Sequence, residues 1–148
     1  MSFWPRAPAS GKTSLALNLA VNAAKLGTAV AFFSLEMSAS QLVQRILCSE
    51  ASVSLSKVRG GFISEGDWNS IANVSNVLSQ VELYIDDSPG LSILEARAKA
   101  RRELRAAQGR GLIIVDYLQL MQPPATRRDG NRAVEDYEIG RASCRERV

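Results

Sequence analysis

The stretch Ser10-Gly11-Lys12-Thr13, which leads into an Ala/Leu-rich run, decides how the rest of this chain is interpreted. Small residues before a lysine let backbone N–H groups surround phosphate oxygens, while the lysine reaches the terminal phosphates and the Thr13 hydroxyl binds magnesium. The full pattern requires a glycine five positions before Gly11, where this chain has Arg6. A nucleotide-binding loop is therefore the first hypothesis, and a Gly-Lys-Thr turn without that function is the alternative.

Composition limits the classes of protein to which the chain can belong. Its 148 residues are 46% hydrophobic, which suits one domain or part of one. A net charge of +3 permits a polyanionic partner without requiring it. Two cysteines without CxxC spacing and the absence of histidine exclude a zinc site and histidine-based catalysis. The sequence has no apolar run of transmembrane length and no secretion signal, so we expect a soluble, cytoplasmic protein without a membrane partner.

Helical and strand-like segments alternate after the loop. Residues 13–25 have a helical pattern that ends before Gly27 and places Leu15, Leu19 and Ala23 on one face. The expected strands are 28–35, 81–85 and 112–115. Further helices are expected to begin at the serine caps Ser38, Ser64 and Ser92; Gln41 is the capping-box partner of Ser38, and the helix from Ser92 extends to Gly109. A helical turn is expected within 54–64. This alternation predicts an α/β fold with a parallel sheet flanked by helices.

Two carboxylates follow apolar strands of this predicted sheet. Asp116 ends the run from Leu112 and lies at the edge where ligands bind in open α/β sheets, so it is a candidate for holding magnesium. Glu36 follows the strand that ends at Leu35 and can polarise water for attack on a γ-phosphate. The alternatives are an aspartate that only ends a strand and a solvated glutamate before a helix N-terminus.

Three strings give a more specific indication, and they occur in the order Ser34-Leu35-Glu36-Met37-Ser38, Asp86-Asp87-Ser88-Pro89-Gly90-Leu91-Ser92 and Asp116-Tyr117-Leu118-Gln119-Leu120-Met121. Together they resemble the ATPase domain of bacterial replicative DNA helicases of the DnaB type. The similarity includes the runs 41–45 and Asp67-Trp68, and it extends from about Pro8 to Glu135.

The resemblance implies a RecA-like P-loop fold and a ring of six copies that hydrolyses ATP with Mg²⁺ between subunits. It also implies movement along single-stranded DNA, separation of the duplex, and primase and a helicase loader as partners. By the same resemblance, Glu36 activates water and Asp116 holds magnesium, while the nucleotide loop comprises Ala9, Ser10, Gly11, Lys12, Thr13 and Ser14. Arg45 matches a nucleotide-contacting arginine, and a solvated helix arginine is its alternative.

Both ends of the chain depart from the family's pattern. Residues 1–7 are atypical, because no strand is predicted before the loop, and they resemble a misplaced start. We expect residues 8–137 to form a partial RecA-like ATPase domain without its first strand, C-terminal strands, sensor glutamine and arginine finger. Residues 138–148 are similar to a translated sequencing-library adapter, so we expect them to be no part of the fold. We therefore expect the chain by itself to be inactive.

Other interpretations remain open at this point. A RecA- or RadA-type recombination ATPase would share the loop, the glutamate and the aspartate, but not the strings that begin at Ser34 and Asp116. An inactive nucleotide-binding module is the alternative outside the enzymes. Six basic residues lie on or after the last long helix: Arg97, Lys99, Arg101, Arg102, Arg105 and Arg110. Because acidic residues are interleaved with them, a solvated outer face is favoured over a DNA-binding stripe.

Overall fold

A computed structural model describes residues 11–107 and 111–122, except for the side chain of Ala106. Helices and strands alternate along these ranges as α1 (Lys12–Lys25), β1 (Ala29–Ser34), α2 (Ala39–Glu50), α3 (Leu55–Gly60), α4 (Glu65–Leu78), β2 (Leu83–Asp86), α5 (Ile93–Glu103) and β3 (Gly111–Asp116). Two 3₁₀ turns, Leu104–Ala107 and Leu118–Leu120, follow α5 and β3. None of the helices in these ranges is long and apolar enough to cross a membrane.

The three strands form one parallel sheet in the order β2-β1-β3, as the alternation predicts. The central strand β1 is buried along its whole length. Its register pairs Phe33 with Asp86 of β2 and Ser34 with Asp116 of β3. Since the strands are parallel, their carboxyl ends meet at one edge of the sheet, which is where this fold class binds its ligands.

The core lies on both faces of the sheet because side chains alternate along β1. Val30 and Phe32 pack with buried residues of α1 and α2, whereas Ala31 and Phe33 pack with buried residues of α5 and with Met121. Helices on both faces of a parallel sheet are the arrangement expected of an α/β domain.

The inward face of α1 differs from the predicted one. Leu15 and Leu19 are 63% and 56% exposed, and Ala23 is only partly buried against the core. The fully buried positions follow a spacing of i, i+3, i+4 and i+7 and are Leu17, Ala20, Val21 and Ala24. The two alanines carry little bulk, so this side of α1 can approach β1 closely, and it is the face that the sheet selects.

Two helix ends also differ from expectation. Ser38 accepts a hydrogen bond from the backbone N–H of Gln41, but no reciprocal bond from the Gln41 side chain completes a capping box. The capping box that the sequence predicts between Ser92 and Glu95 is present, and Ser64 forms a further one with Asp67. The helix from Ser92 ends at Glu103 and tightens into the 3₁₀ turn, so it is shorter than predicted.

Candidate nucleotide-binding site

The centre of the candidate site is a contact between residues that are 103 positions apart. The Thr13 hydroxyl donates a 2.6 Å hydrogen bond to Oδ2 of Asp116, and both residues are partly buried. Thr13 is the second residue of α1, and Asp116 is the last residue of β3. The fold therefore brings together the two side chains that the sequence assigns to magnesium.

The loop residues that the structure describes lie at the start of α1. Gly11 is the N-cap, and its φ of 71° is in the left-handed region that favours glycine. Its carbonyl accepts the first helical hydrogen bond, from the Leu15 N–H, while no capping side chain bonds to the N–H groups of the first turn of α1. Lys12 and Ser14 are exposed at this end. This helix start can therefore offer backbone N–H groups and an ammonium group to an anion; the expected loop residues Ala9 and Ser10 lie outside the described ranges.

The turn after β1 carries Glu36 to the same edge of the sheet. The Leu35 backbone N–H donates a 2.8 Å bond to the Asp116 carbonyl, which joins the two strand ends. Glu36 is the next residue; it is exposed, and no hydrogen-bond or ion-pair partner for it occurs in the described ranges. Its carboxylate is therefore available at the end of a strand adjacent to the one that carries Asp116.

The chemistry of this edge fits a magnesium ion bound together with phosphates. A threonine hydroxyl can donate one hydrogen bond, and Thr13 donates it to Asp116, so the lone pairs of the Thr13 oxygen remain available to a cation. Among the described residues, no group of three or more His, Cys, Asp or Glu side chains could enclose a metal. Mg²⁺ commonly uses only one or two protein carboxylates, with water and substrate phosphates as the other ligands.

Arg45 lies on α2 at the boundary of a cavity of about 300 Å³ between α1 and α2. Ser14 and Asn18 of α1 also line this cavity. Nε of Arg45 is buried without a hydrogen-bond partner among the described residues. Arg45 is therefore partly buried, unlike the fully solvated arginine of the alternative interpretation, and it lines the same cavity as Ser14.

The end of β2 contributes contacts to which sequence reasoning gave no role. Asp87 accepts a 2.8 Å hydrogen bond from the Ala39 backbone N–H at the start of α2. Lys99 bonds to Asp86 at 2.6 Å and to the Ser88 hydroxyl at 2.7 Å, and Ser88 also donates its N–H to Asp86. Partial burial raises the pKa of Asp86, but the hydrogen bonds from Lys99 and Ser88 outweigh it and hold that pKa below its usual range.

The remaining basic residues of α5 agree with a solvated face. Arg97, Arg101 and Arg102 are exposed, and Arg102 pairs with the adjacent Glu103. Arg105 is exposed in the following 3₁₀ turn, while Arg110 lies outside the described ranges. Lys99 is the exception, because its ion pair with Asp86 anchors α5 to β2. The pair of acidic residues at the end of β2, Asp86 and Asp87, is the sequence signal for this ion pair.

Comparison with known proteins adds independent information. The family model of the DnaB-like helicase C-terminal domain matches residues 5–144. The replicative DNA helicase DnaC of Bacillus subtilis is 46% identical over 135 residues, which are 90% of this chain and 29% of that protein. The replicative DNA helicase DnaB of Geobacillus stearothermophilus is 43% identical over 136 residues, 91% of this chain and 30% of that protein. The chain thus spans about three tenths of the length of these relatives.

Solved structures give the same assignment. One solved ATPase domain superimposes with a TM-score of 0.77 at 28% identity, and the match covers 87% of this chain and 46% of that chain. A DnaB-like replicative helicase studied with primase gives a TM-score of 0.75 at 28% identity, with 86% of this chain and 32% of that chain covered. The fold is therefore that of the helicase ATPase domains, and the chain belongs to the family of DnaB-like helicase C-terminal domains.

Proposed function

We propose that this chain forms part of the motor of a replicative DNA helicase, which hydrolyses ATP to move along single-stranded DNA and separate the duplex. The observation that carries the proposal is the bond between Thr13 and Asp116, with Glu36 at the end of the adjacent strand. Matches to proteins named replicative DNA helicases favour this function over a RecA- or RadA-type recombination ATPase.

The proposal gives each residue of the site a role, and the positions of the described residues support it. The N–H groups at the start of α1 bind phosphate oxygens, and the Lys12 ammonium neutralises charge on the terminal phosphates. Thr13 and Asp116 hold Mg²⁺, which screens the phosphate charge when it is bound. Glu36 accepts a proton from the attacking water. Ala9, Ser10 and Ser14 complete the loop in this proposal, and the guanidinium of Arg45 contacts the nucleotide.

The proposed motor acts as part of a larger assembly. Six copies form a ring around single-stranded DNA in the cytoplasm, and primase and a helicase loader bind to the ring. One structural relative is described together with its interactions with primase, which supports the primase partner. The isolated chain does not hydrolyse ATP in this scheme, because such rings complete each site with an arginine from the neighbouring subunit.

A lysine substitution tests this function in the full-length helicase, meaning the product of the complete gene that encodes this chain. Lys12→Ala should abolish both ATP hydrolysis and the unwinding of a forked DNA substrate. Lys25→Ala is the matched control, because it lies at the other end of α1, about 20 Å away. Lys25→Ala should keep both activities, although it loses an exposed ion pair with Glu50.

Three results would contradict the proposal, each in a different part. Normal hydrolysis by Lys12→Ala would remove Lys12 from the nucleotide site. Hydrolysis by the unsubstituted protein without any unwinding would disprove the helicase function and leave the ATP site standing. ATP binding without hydrolysis in the unsubstituted full-length protein would favour the inactive nucleotide-binding module.

A further inference from the structure

The turn that carries Glu36 is held at both of its ends by side chains of other residues. We propose that Ser34 and Asp87 are positioning residues that fix the backbone around Glu36 and thereby place its carboxylate within reach of the attacking water. The inference rests on the proposed function, since it takes Glu36 as the group that activates water. Neither Ser34 nor Asp87 contacts nucleotide in this scheme, so both act through the backbone around Glu36.

Ser34 closes the turn from the strand side. It is the last residue of β1 and is only 2% exposed. Its hydroxyl donates a 2.6 Å bond to the Met37 carbonyl and accepts a 3.2 Å bond from the Met37 N–H. Both bonds span Leu35 and Glu36, so one buried side chain determines the path of the backbone on either side of the carboxylate.

Asp87 holds the turn from the helix side. Its carboxylate accepts the 2.8 Å bond from the Ala39 N–H, the first residue of α2, three positions after Glu36. A negative charge at a helix N-terminus is also favoured by the helix dipole. The adjacent Asp86 is anchored by Lys99 and Ser88, so Asp87 projects from a strand end that is itself fixed.

The bonds from Ser34 to Met37 and from Ala39 to Asp87 are together called the clamp. Glu36 depends on the clamp because its carboxylate has no partner of its own in the described ranges. The backbone sets the position from which its side chain extends, and a displacement of about 1 Å at a reacting group can reduce a rate by about 100-fold. Ser34 pairs with Asp116 in the sheet, but the Ser34 hydroxyl and the Asp87 carboxylate bond to Met37 and Ala39 and to none of Lys12, Thr13 and Asp116. Loss of the clamp should therefore slow hydrolysis and leave ATP affinity nearly unchanged.

The test measures kcat and KM for ATP in the full-length helicase with Ser34→Ala and Asp87→Ala. Each variant should lower kcat by about tenfold or more, with KM within about twofold of the unsubstituted value. Asp87→Asn keeps a carbonyl oxygen that can accept the Ala39 bond, so it should recover much of the lost kcat. Added to Glu36→Gln, the Asp87→Ala change should cause no further loss.

Asp67→Ala is the matched control, because Asp67 accepts the backbone N–H of Ser64 at the start of α4, away from the turn. It should leave kcat unchanged. Unchanged kcat in Asp87→Ala would overturn the clamp, and so would a rise in KM without a fall in kcat. If Ser34→Ala does not fold, the exposed Asp87 decides the question alone. Normal hydrolysis by Glu36→Gln would instead overturn the proposed function at Glu36.

Discussion

Replacing Thr13 with valine should weaken ATP binding in the presence of Mg²⁺ and leave metal-free ATP binding almost unchanged. Valine keeps the branched shape of threonine but has no hydroxyl. In the structure that hydroxyl donates its hydrogen bond to Asp116, so its lone pairs are free for a cation before one binds. The substitution therefore removes the proposed metal ligand without altering the N–H groups at the start of α1.

The size of the effect follows from the charged character of both partners of the hydroxyl. A polar contact to a charged group contributes about 1.5–3 kcal/mol, which corresponds to about 10- to 150-fold in affinity. The bond to Asp116 is lost in the free and bound states alike, so it largely cancels from the difference. The metal contact is lost only in the bound state, and it sets the expected weakening.

The assay is a titration of the full-length helicase with a fluorescent ATP analogue, once with Mg²⁺ and once with EDTA. Thr28→Val is the matched control, since it makes the same chemical change before β1, at the opposite end of the sheet from Asp116. Thr13→Ser restores the hydroxyl and should restore most of the Mg²⁺-dependent affinity. Equal weakening of ATP binding by Thr13→Val in Mg²⁺ and in EDTA would show that the Thr13 hydroxyl does not bind the metal, as would unchanged affinity in Mg²⁺.

Two further predictions concern the packing and charge that support the site. Leu42→Ala, at a fully buried position of α2, should lower the free energy of unfolding by about 2–5 kcal/mol. Val43 is 43% exposed, so Val43→Ala should lower the free energy of unfolding by only about 0.5 kcal/mol. Equal losses for the two variants in urea denaturation would mean that α2 packs with a different face toward the core. Because the pKa of Asp86 is lowered in the folded state by Lys99 and Ser88, its contribution is present above the unfolded pKa and is lost as pH falls through the folded pKa. Asp86→Asn should therefore lose less stability than the unsubstituted chain between about pH 5 and pH 2, and parallel pH profiles would contradict the shift.

The parts of the fold that were predictable depend on local pattern. The apolar run at Leu112 and the buried run before Leu35 are short, β-rich and followed by a carboxylate, so the strands and their ligand-binding edge could be inferred. The parallel sheet followed from the alternation of elements. The 2.6 Å contact between Thr13 and Asp116 could not follow from local pattern, because it depends on how α1 packs beside the end of β3.

The errors occurred where tertiary contacts decide the outcome. The spacing of Leu15 and Leu19 is that of an inward helical face, yet the sheet packs against the side of α1 that carries Ala20 and Ala24. Lys99 was grouped with solvated arginines because a sequence does not show that Asp86 lies opposite it. The bond from Ala39 to Asp87 joins residues 48 positions apart and depends on the pairing of β2 with β1.

In the proposed mechanism, Glu36 activates water at a site that Lys12, Thr13 and Asp116 form for ATP and magnesium. The most direct test is single-turnover hydrolysis of bound ATP by full-length Glu36→Gln, together with its ATP affinity at equilibrium. Since glutamine keeps the size of the side chain but cannot accept the proton, the rate should fall by about 100-fold or more, with affinity within about threefold. A hydrolysis rate equal to that of the unsubstituted protein would contradict the role of Glu36 in activating water.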